Sequence, residues 1–143
     1  MPILEGRLEI REYTGQGYQP VVDYGAWRIA FLRYIGELLP QNIGEMQRHN
    51  ETDEVFVLLA GRCILFIGGG DDQIASIYAQ DMEPQKLYNV KQGCWHTHTL
   101  SEDAIVMIVE NRDTGSDNSP EIELDISQRD KIVELTHLTW KKD

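Results

Sequence analysis

The chain has 143 residues, the usual length of one domain, and 41% of them are apolar. That is enough to bury a hydrophobic core without disulfides or a structural metal, so a metal here would serve function rather than folding. A formal charge of −11, with Arg28, Arg33, Arg48, Arg62 and Arg112 scattered along the chain, argues against nucleic acid and anionic membrane as partners, since both call for a clustered basic patch.

Taken in chain order, residues 1–6 carry no charged stretch followed by an apolar one, so no secretory leader is read there. Ala26 to Tyr34 is rich in aromatic and branched residues and predicts a strand. A loop with Gly36, Pro40, Asn42 and Gly44 follows. Val55 to Ala60 reads as a strand buried on both faces and ended by Gly61, and is far too short to cross a bilayer. The expected location is therefore cytoplasmic. Cys63 to Ile67 predicts the next strand, closed by the hairpin signal Gly68-Gly69-Gly70-Asp71-Asp72, with Ile74 to Tyr78 returning. Leu87 to Val90, Trp95 to Leu100 and Ala104 to Glu110 complete the β-rich part. Residues 112–120 read as a loop, and Ile122 to Ile126 alternates like a half-exposed strand. Ser127 followed by Asp130 predicts the start of a short helix with Ile132, Val133 and Leu135 on its apolar face. Many short strands and one late helix predict an all-β sandwich or barrel. Gly68-Gly69-Gly70 has no lysine and no following helix, so it is not a phosphate loop. Cys63 and Cys94 lack metal-knuckle spacing and are expected to be buried free thiols.

Three of the four histidines fall in two polar clusters at strand borders. Side chains alternate along a strand, so His96 and His98 share a face, about 7 Å apart. Two imidazoles on one face suit a zinc, iron, manganese, nickel or copper ion when a carboxylate joins them. The other cluster is Gln47 to Glu54. His49 and Glu54 have opposite parity, so they converge only if a turn or bulge lies between them, and Asn50 to Asp53 favour a turn. On a straight strand the rival set would be His49, Glu51 and Asp53. His137 reads as a surface or packing residue.

These clusters resemble the paired motifs of the cupin superfamily. Gly44, His49, Glu54 and Gly61 match the first motif over 44–61, and Gly93 and His96 match the second over 91–100. Gln47 stands where the family has its first histidine, Lys91 where it has proline, and Leu100 where it has asparagine. The resemblance implies one cupin domain over 1–143. Its fold would be a double-stranded β-helix, the jelly-roll barrel, with a ligand cavity inside and a short C-terminal helix. It implies a divalent transition metal (zinc, iron, manganese or nickel) on His49, Glu54 and His96, with His98 as a further candidate ligand. It also implies a homodimer paired through an edge strand. The function it points to is a metal-dependent enzyme of dioxygenase, isomerase or lyase type acting on a small polar molecule; a non-catalytic ligand-binding or sensor barrel is the alternative. Glu51, Asp53 and Tyr88 are candidate general bases.

Overall fold

A computed structural model describes residues 6–141. The reading of the N-terminal leader falls on residues that lie almost wholly outside the described ones. The strands are β1 (Gly17–Tyr24), β2 (Trp27–Arg33), β3 (Glu45–Gln47), β4 (Glu54–Ala60), β5 (Cys63–Gly69), β6 (Ser76–Asp81), β7 (Tyr88–Val90), β8 (Trp95–Leu100), β9 (Ile105–Asn111) and β10 (Glu121–Glu123). One helix, α1 (Ile126–Trp140), closes the chain, and two 3-10 turns, Gly36–Leu38 and Pro40–Asn42, occupy the loop after β2. The strands form two antiparallel five-stranded sheets, ordered β1-β2-β9-β4-β7 and β10-β3-β8-β5-β6. This is the jelly-roll barrel with a C-terminal helix. No helix among the described residues is long and apolar enough to cross a membrane.

Alternation along the strands builds two cores. Phe56 and Leu58 of β4, Val106 and Ile108 of β9, Leu65 of β5 and Leu100 of β8 meet between the sheets. Ile64 and Phe66 of β5 and Trp95 of β8 point out of the second sheet and are covered by Ile132 of α1. The helix therefore closes the outside of one sheet only. Removing a fully buried ring such as Phe56 would cost about 3–5 kcal/mol.

The helix starts earlier than the sequence reading placed it. Asp125 is the N-cap: its carboxylate accepts from the Gln128 backbone N–H, and the Gln128 side chain accepts from the Asp125 N–H. This capping box outcompetes a start at Ser127 because it satisfies two otherwise unpaired donors at once. It also cuts the preceding strand back to β10, where the sequence reading extended it to Ile126. The expectation of two buried thiols holds for Cys63, while Cys94 is half-buried; both are free. Two glycines are required by the backbone. Gly61 sits at φ +70, and a Cβ there would lie 2.5 Å from the Ala104 Cα. Gly93 turns into β8 at φ +79, and its N–H donates to the His49 carbonyl at 2.8 Å.

Candidate metal centre

The first motif runs through β3 and β4, and its residues reach the barrel interior from both sides of a bend. The backbone bends at Asn50 and Glu51 before β4 begins at Glu54. That bend is held from outside: the Asn50 N–H donates to the Asn118 carbonyl at 2.9 Å, and the Asn111 side chain donates to the Glu51 carbonyl at 2.9 Å. It resolves the parity conflict, so His49 and Glu54 converge. The straight-strand alternative of His49, Glu51 and Asp53 is not formed. Asp53 instead accepts from the Gln92 backbone N–H, Lys91 and Asn89, and these bonds, the Gln92 N–H first, hold its carboxyl down at about 2.

Beside β3 in the same sheet, and opposite β4, β8 supplies His96 from the second motif, paired in register with Gln47. His49, Glu54 and His96 are buried, and one ligating atom from each lies within 4.8 Å of the other two. The His49 Nε2 is 3.0 Å and the His96 Nε2 is 2.8 Å from the same oxygen, Glu54 Oε1. The far side of each ring is committed. The His96 Nδ1–H donates to the Cys94 carbonyl at 3.0 Å. The His49 Nδ1 lies 2.7 Å from Ser119 Oγ, whose own proton goes to Asn118 Oδ1 at 3.2 Å, so Nδ1 carries the hydrogen there too. In both neutral rings the lone pair is therefore on Nε2, aimed at a carboxylate. Two lone pairs facing one anion repel unless a positive species lies among them. A proton on Nε2 meets that condition: burial lowers the His49 imidazole, but the Glu54 carboxylate outweighs it and raises it. A divalent cation in place of the proton meets it too, and the donor set of two imidazoles and a carboxylate fits zinc, iron, manganese or nickel.

His98 shares the inward face with His96, as strand alternation requires: both rings lie against Phe56, at 5.8 and 6.1 Å between centroids. It stands outside the group of mutually close ligating atoms. Its Nδ1 is sealed from solvent and has no hydrogen-bond partner, while part of the ring faces the cavity. Burial, then the neighbouring His96, lowers its imidazole to about 4.

These side chains line a cavity of about 310 Å³, which Tyr18, Arg28, Gln47 and Glu110 also border. A larger surface groove of about 780 Å³ between β6 and α1 has no imidazole or thiol in its wall, so the interior cavity is the chemically equipped one. Glu110 is the residue that the sequence reading missed. It looked like the end of an ordinary strand, yet β9 turns it inward, where Arg28 donates to Glu110 Oε2 from Nε at 2.9 Å and Nη2 at 2.7 Å, and the Tyr18 hydroxyl donates to the same oxygen. Burial, with the Glu54 carboxylate beside it, raises the Glu110 carboxyl to about 7. Burial also pushes Glu54 upward, but its bonds to His49 and His96 prevail and hold it well below the usual carboxylate range. The proposed bases Glu51, Asp53 and Tyr88 are not among the cavity-lining residues. Tyr88 instead accepts from the Glu83 backbone N–H at 2.9 Å.

Barrel and site together define a small cupin-fold protein with a candidate metal centre of two histidines and a carboxylate. No protein-family model and no curated protein matches the chain. Among solved structures it is similar to Pac13 of Streptomyces, described as a nucleoside dehydratase, at a TM-score of 0.54 and 6% identity over 78% of this chain and 83% of that one. A form of that protein with uridine matches at TM-score 0.54 and 7% identity, over 78% of this chain and 83% of that one. A cupin-2 domain protein of Shewanella frigidimarina shares 20% identity over 69% of this chain and 85% of that one, at a TM-score of 0.49. Identities this low speak to the fold alone, and function has to be argued from the site.

Proposed function

We propose that this chain is a metal-dependent enzyme acting on a small polar molecule, with His49, Glu54 and His96 holding a divalent transition metal. The observation that carries the reading is the convergence of two buried Nε2 atoms on one carboxylate oxygen, with both Nδ1 atoms already engaged. A structural metal would be redundant in a barrel with two apolar cores. When bound, such an ion acts as a Lewis acid toward a substrate carbonyl, hydroxyl or carboxylate.

The chain's own residues set what can enter and where protons go. A cavity of about 310 Å³ is at the small end of the ligand-pocket range, so the substrate has few heavy atoms. Phe56, Leu32 and Ile108 close the inner side and exclude water. Glu110 lies in the same wall with Tyr18 and Arg28 on its Oε2, so it is placed to give or take a proton from a molecule held at the centre. Gln47 favours the second reading, a ligand-binding barrel without turnover, because an amide replaces an imidazole beside His96.

The test is to incubate metal-loaded protein with a small-metabolite extract and follow it by mass spectrometry. Consumption of a polar compound by the native protein and not by His96→Ala supports the enzyme. Retention of a compound without conversion favours the binding reading. Neither consumption nor retention contradicts both.

A further inference from the structure

Strand register stacks the inward side chains of the barrel in levels. On the first sheet Arg28 of β2 pairs with Glu110 of β9. One inward step further, Ala30 pairs with Ile108, which pairs in turn with Phe56 of β4. On the second sheet His96 pairs with Gln47 and Ile67. One inward step further along β8, His98 pairs with Leu65. The outer level therefore carries Glu54, Glu110, Arg28, Gln47 and His96, beside the mouth formed by Thr114, Gly115 and Ser116. The inner level is apolar, built from Ala30, Phe56, Leu65 and Ile108, with Leu32 beyond. Tyr18, which pairs with Leu32, sends its hydroxyl back to Glu110. His98 is thus the polar side chain that the cavity meets at its inner end.

A polar ring among apolar neighbours costs free energy unless something bonds to it. Among the described residues, neither ring nitrogen of His98 has a hydrogen-bond partner. The two nitrogens differ in access. Nδ1 is sealed from solvent, whereas Nε2 is not, and the ring lines the cavity, so Nε2 opens into it. An imidazolium would bury a charge and place an N–H at the sealed Nδ1, so the neutral ring is the form that fits. Its one proton belongs on Nε2, because a sealed N–H without an acceptor is a rarer defect than a sealed lone pair. His49 and His96 are set the other way: their Nδ1 atoms are bonded within the chain and their Nε2 atoms face Glu54. Those two rings are oriented to ligate, and His98, outside the ligating group, is oriented to donate.

We propose that His98 is a specificity-determining residue whose Nε2–H donates to an uncharged oxygen, a hydroxyl or carbonyl, at the inner end of the molecule bound in the cavity. This role rests on the cavity being the substrate site, as proposed above, and it names the two ends of that substrate. The head lies at the outer level, at His49, Glu54 and His96. The inner end is uncharged because no cationic side chain stands at its level. Arg28, the arginine in the cavity wall, is bonded to Glu110 at the outer one. A phosphate or second carboxylate would be buried against Phe56, Leu32 and Ile108 without a counter-charge. Residues two apart on a strand are about 7 Å apart. A metal–oxygen bond of roughly 2 Å and a hydrogen bond of roughly 3 Å take up part of that span, which leaves about four bonds between the head oxygen and the inner oxygen. A three-carbon hydroxy acid has that reach.

Two measurements on the full chain test this. Nitrogen-15 NMR of the imidazoles in metal-free native protein reads the tautomer. His98 is expected to carry its proton on Nε2; a proton on Nδ1 overturns the proposal. Calorimetric titration of zinc-loaded protein compares 3-hydroxypropionate with propionate, which lacks the inner hydroxyl. The native protein is expected to bind the hydroxy acid at least about fivefold more tightly. His98→Phe is expected to keep its zinc and lose that preference, and His98→Gln, which keeps a side-chain N–H, to retain part of it. No native preference, or a preference that His98→Phe leaves intact, overturns the proposal. Loss of the zinc in both variants overturns it too, by making His98 a ligand. The tautomer is read on native protein without metal, so it stays decisive should a variant misfold. It also decides for His98 should the native chain bind no zinc, a result that sinks the metal reading by itself.

Discussion

Ser119 shows how a residue without chemistry of its own governs the site. It lies in the loop between β9 and β10, is 3% exposed, and fixes the tautomer of His49 through Nδ1. Ser119→Ala leaves the three ligands in place but frees that ring. Metal affinity is expected to fall about 10–100-fold, the usual effect of removing such an orienting partner. A competitive zinc titration measures it; an unchanged affinity would mean that the ring is held by packing alone. His98 gives a second prediction. Its folded imidazole is lowered to about 4 from an ordinary 6.5. The unfolded chain therefore takes up the proton first, and this residue's contribution to stability falls as pH drops from about 6.5 to about 4. The full effect is on the order of 3 kcal/mol. Glu110 acts with the opposite sign, since its raised carboxyl favours the folded state at low pH and loses that advantage as pH rises through about 7. Urea unfolding of metal-free native protein and His98→Phe, with Glu110 common to both, isolates the histidine. The native protein should lose more stability than the variant between pH 6.5 and 4; parallel pH profiles would contradict the assignment.

At the scale of elements, the strands with strong apolar or branched runs were legible, because β2, β4, β5, β8 and β9 each carry enough such residues to announce themselves. β1 was not. It contains Pro20, which argues against a strand, but β1 is an edge strand with a bulge between Pro20 and Val22, where a missing N–H does no harm. β3 is three residues, too short to show a period, and is held by pairing with β10 and β8; β10 was read from the alternation at Ile122, although the reading carried it on to Ile126. The helix boundary was missed because the capping box at Asp125 and Gln128 competed with the serine signal two residues on. Asp125→Ala is expected to cost about 1 kcal/mol by chemical denaturation, and Ser127→Ala much less. The reverse order would return the start of α1 to Ser127.

At the scale of the whole molecule, a barrel brings together residues that no local pattern connects. His49 and Glu54 were readable as a pair only if the chain bends, and the bend depends on Asn111 and Asn118, which lie far along the chain, at the end of β9 and beyond it. His96 was readable because its motif is local. Glu110, Tyr18 and Arg28 were not, since they meet only when β1, β2 and β9 lie side by side. The apolar face of the first sheet was half legible: Val55 to Ala60 read as buried on both sides, yet Leu59 is 51% exposed, because the helix lies on the other sheet.

If His49, Glu54 and His96 hold a metal, the purified protein carries it. Elemental analysis by inductively coupled plasma mass spectrometry of purified native protein and of His96→Ala tests it most directly. One transition-metal ion per chain is expected in the native protein, and its loss in the variant. A native protein that takes up no metal after reconstitution, or a variant that keeps a full equivalent, would contradict it.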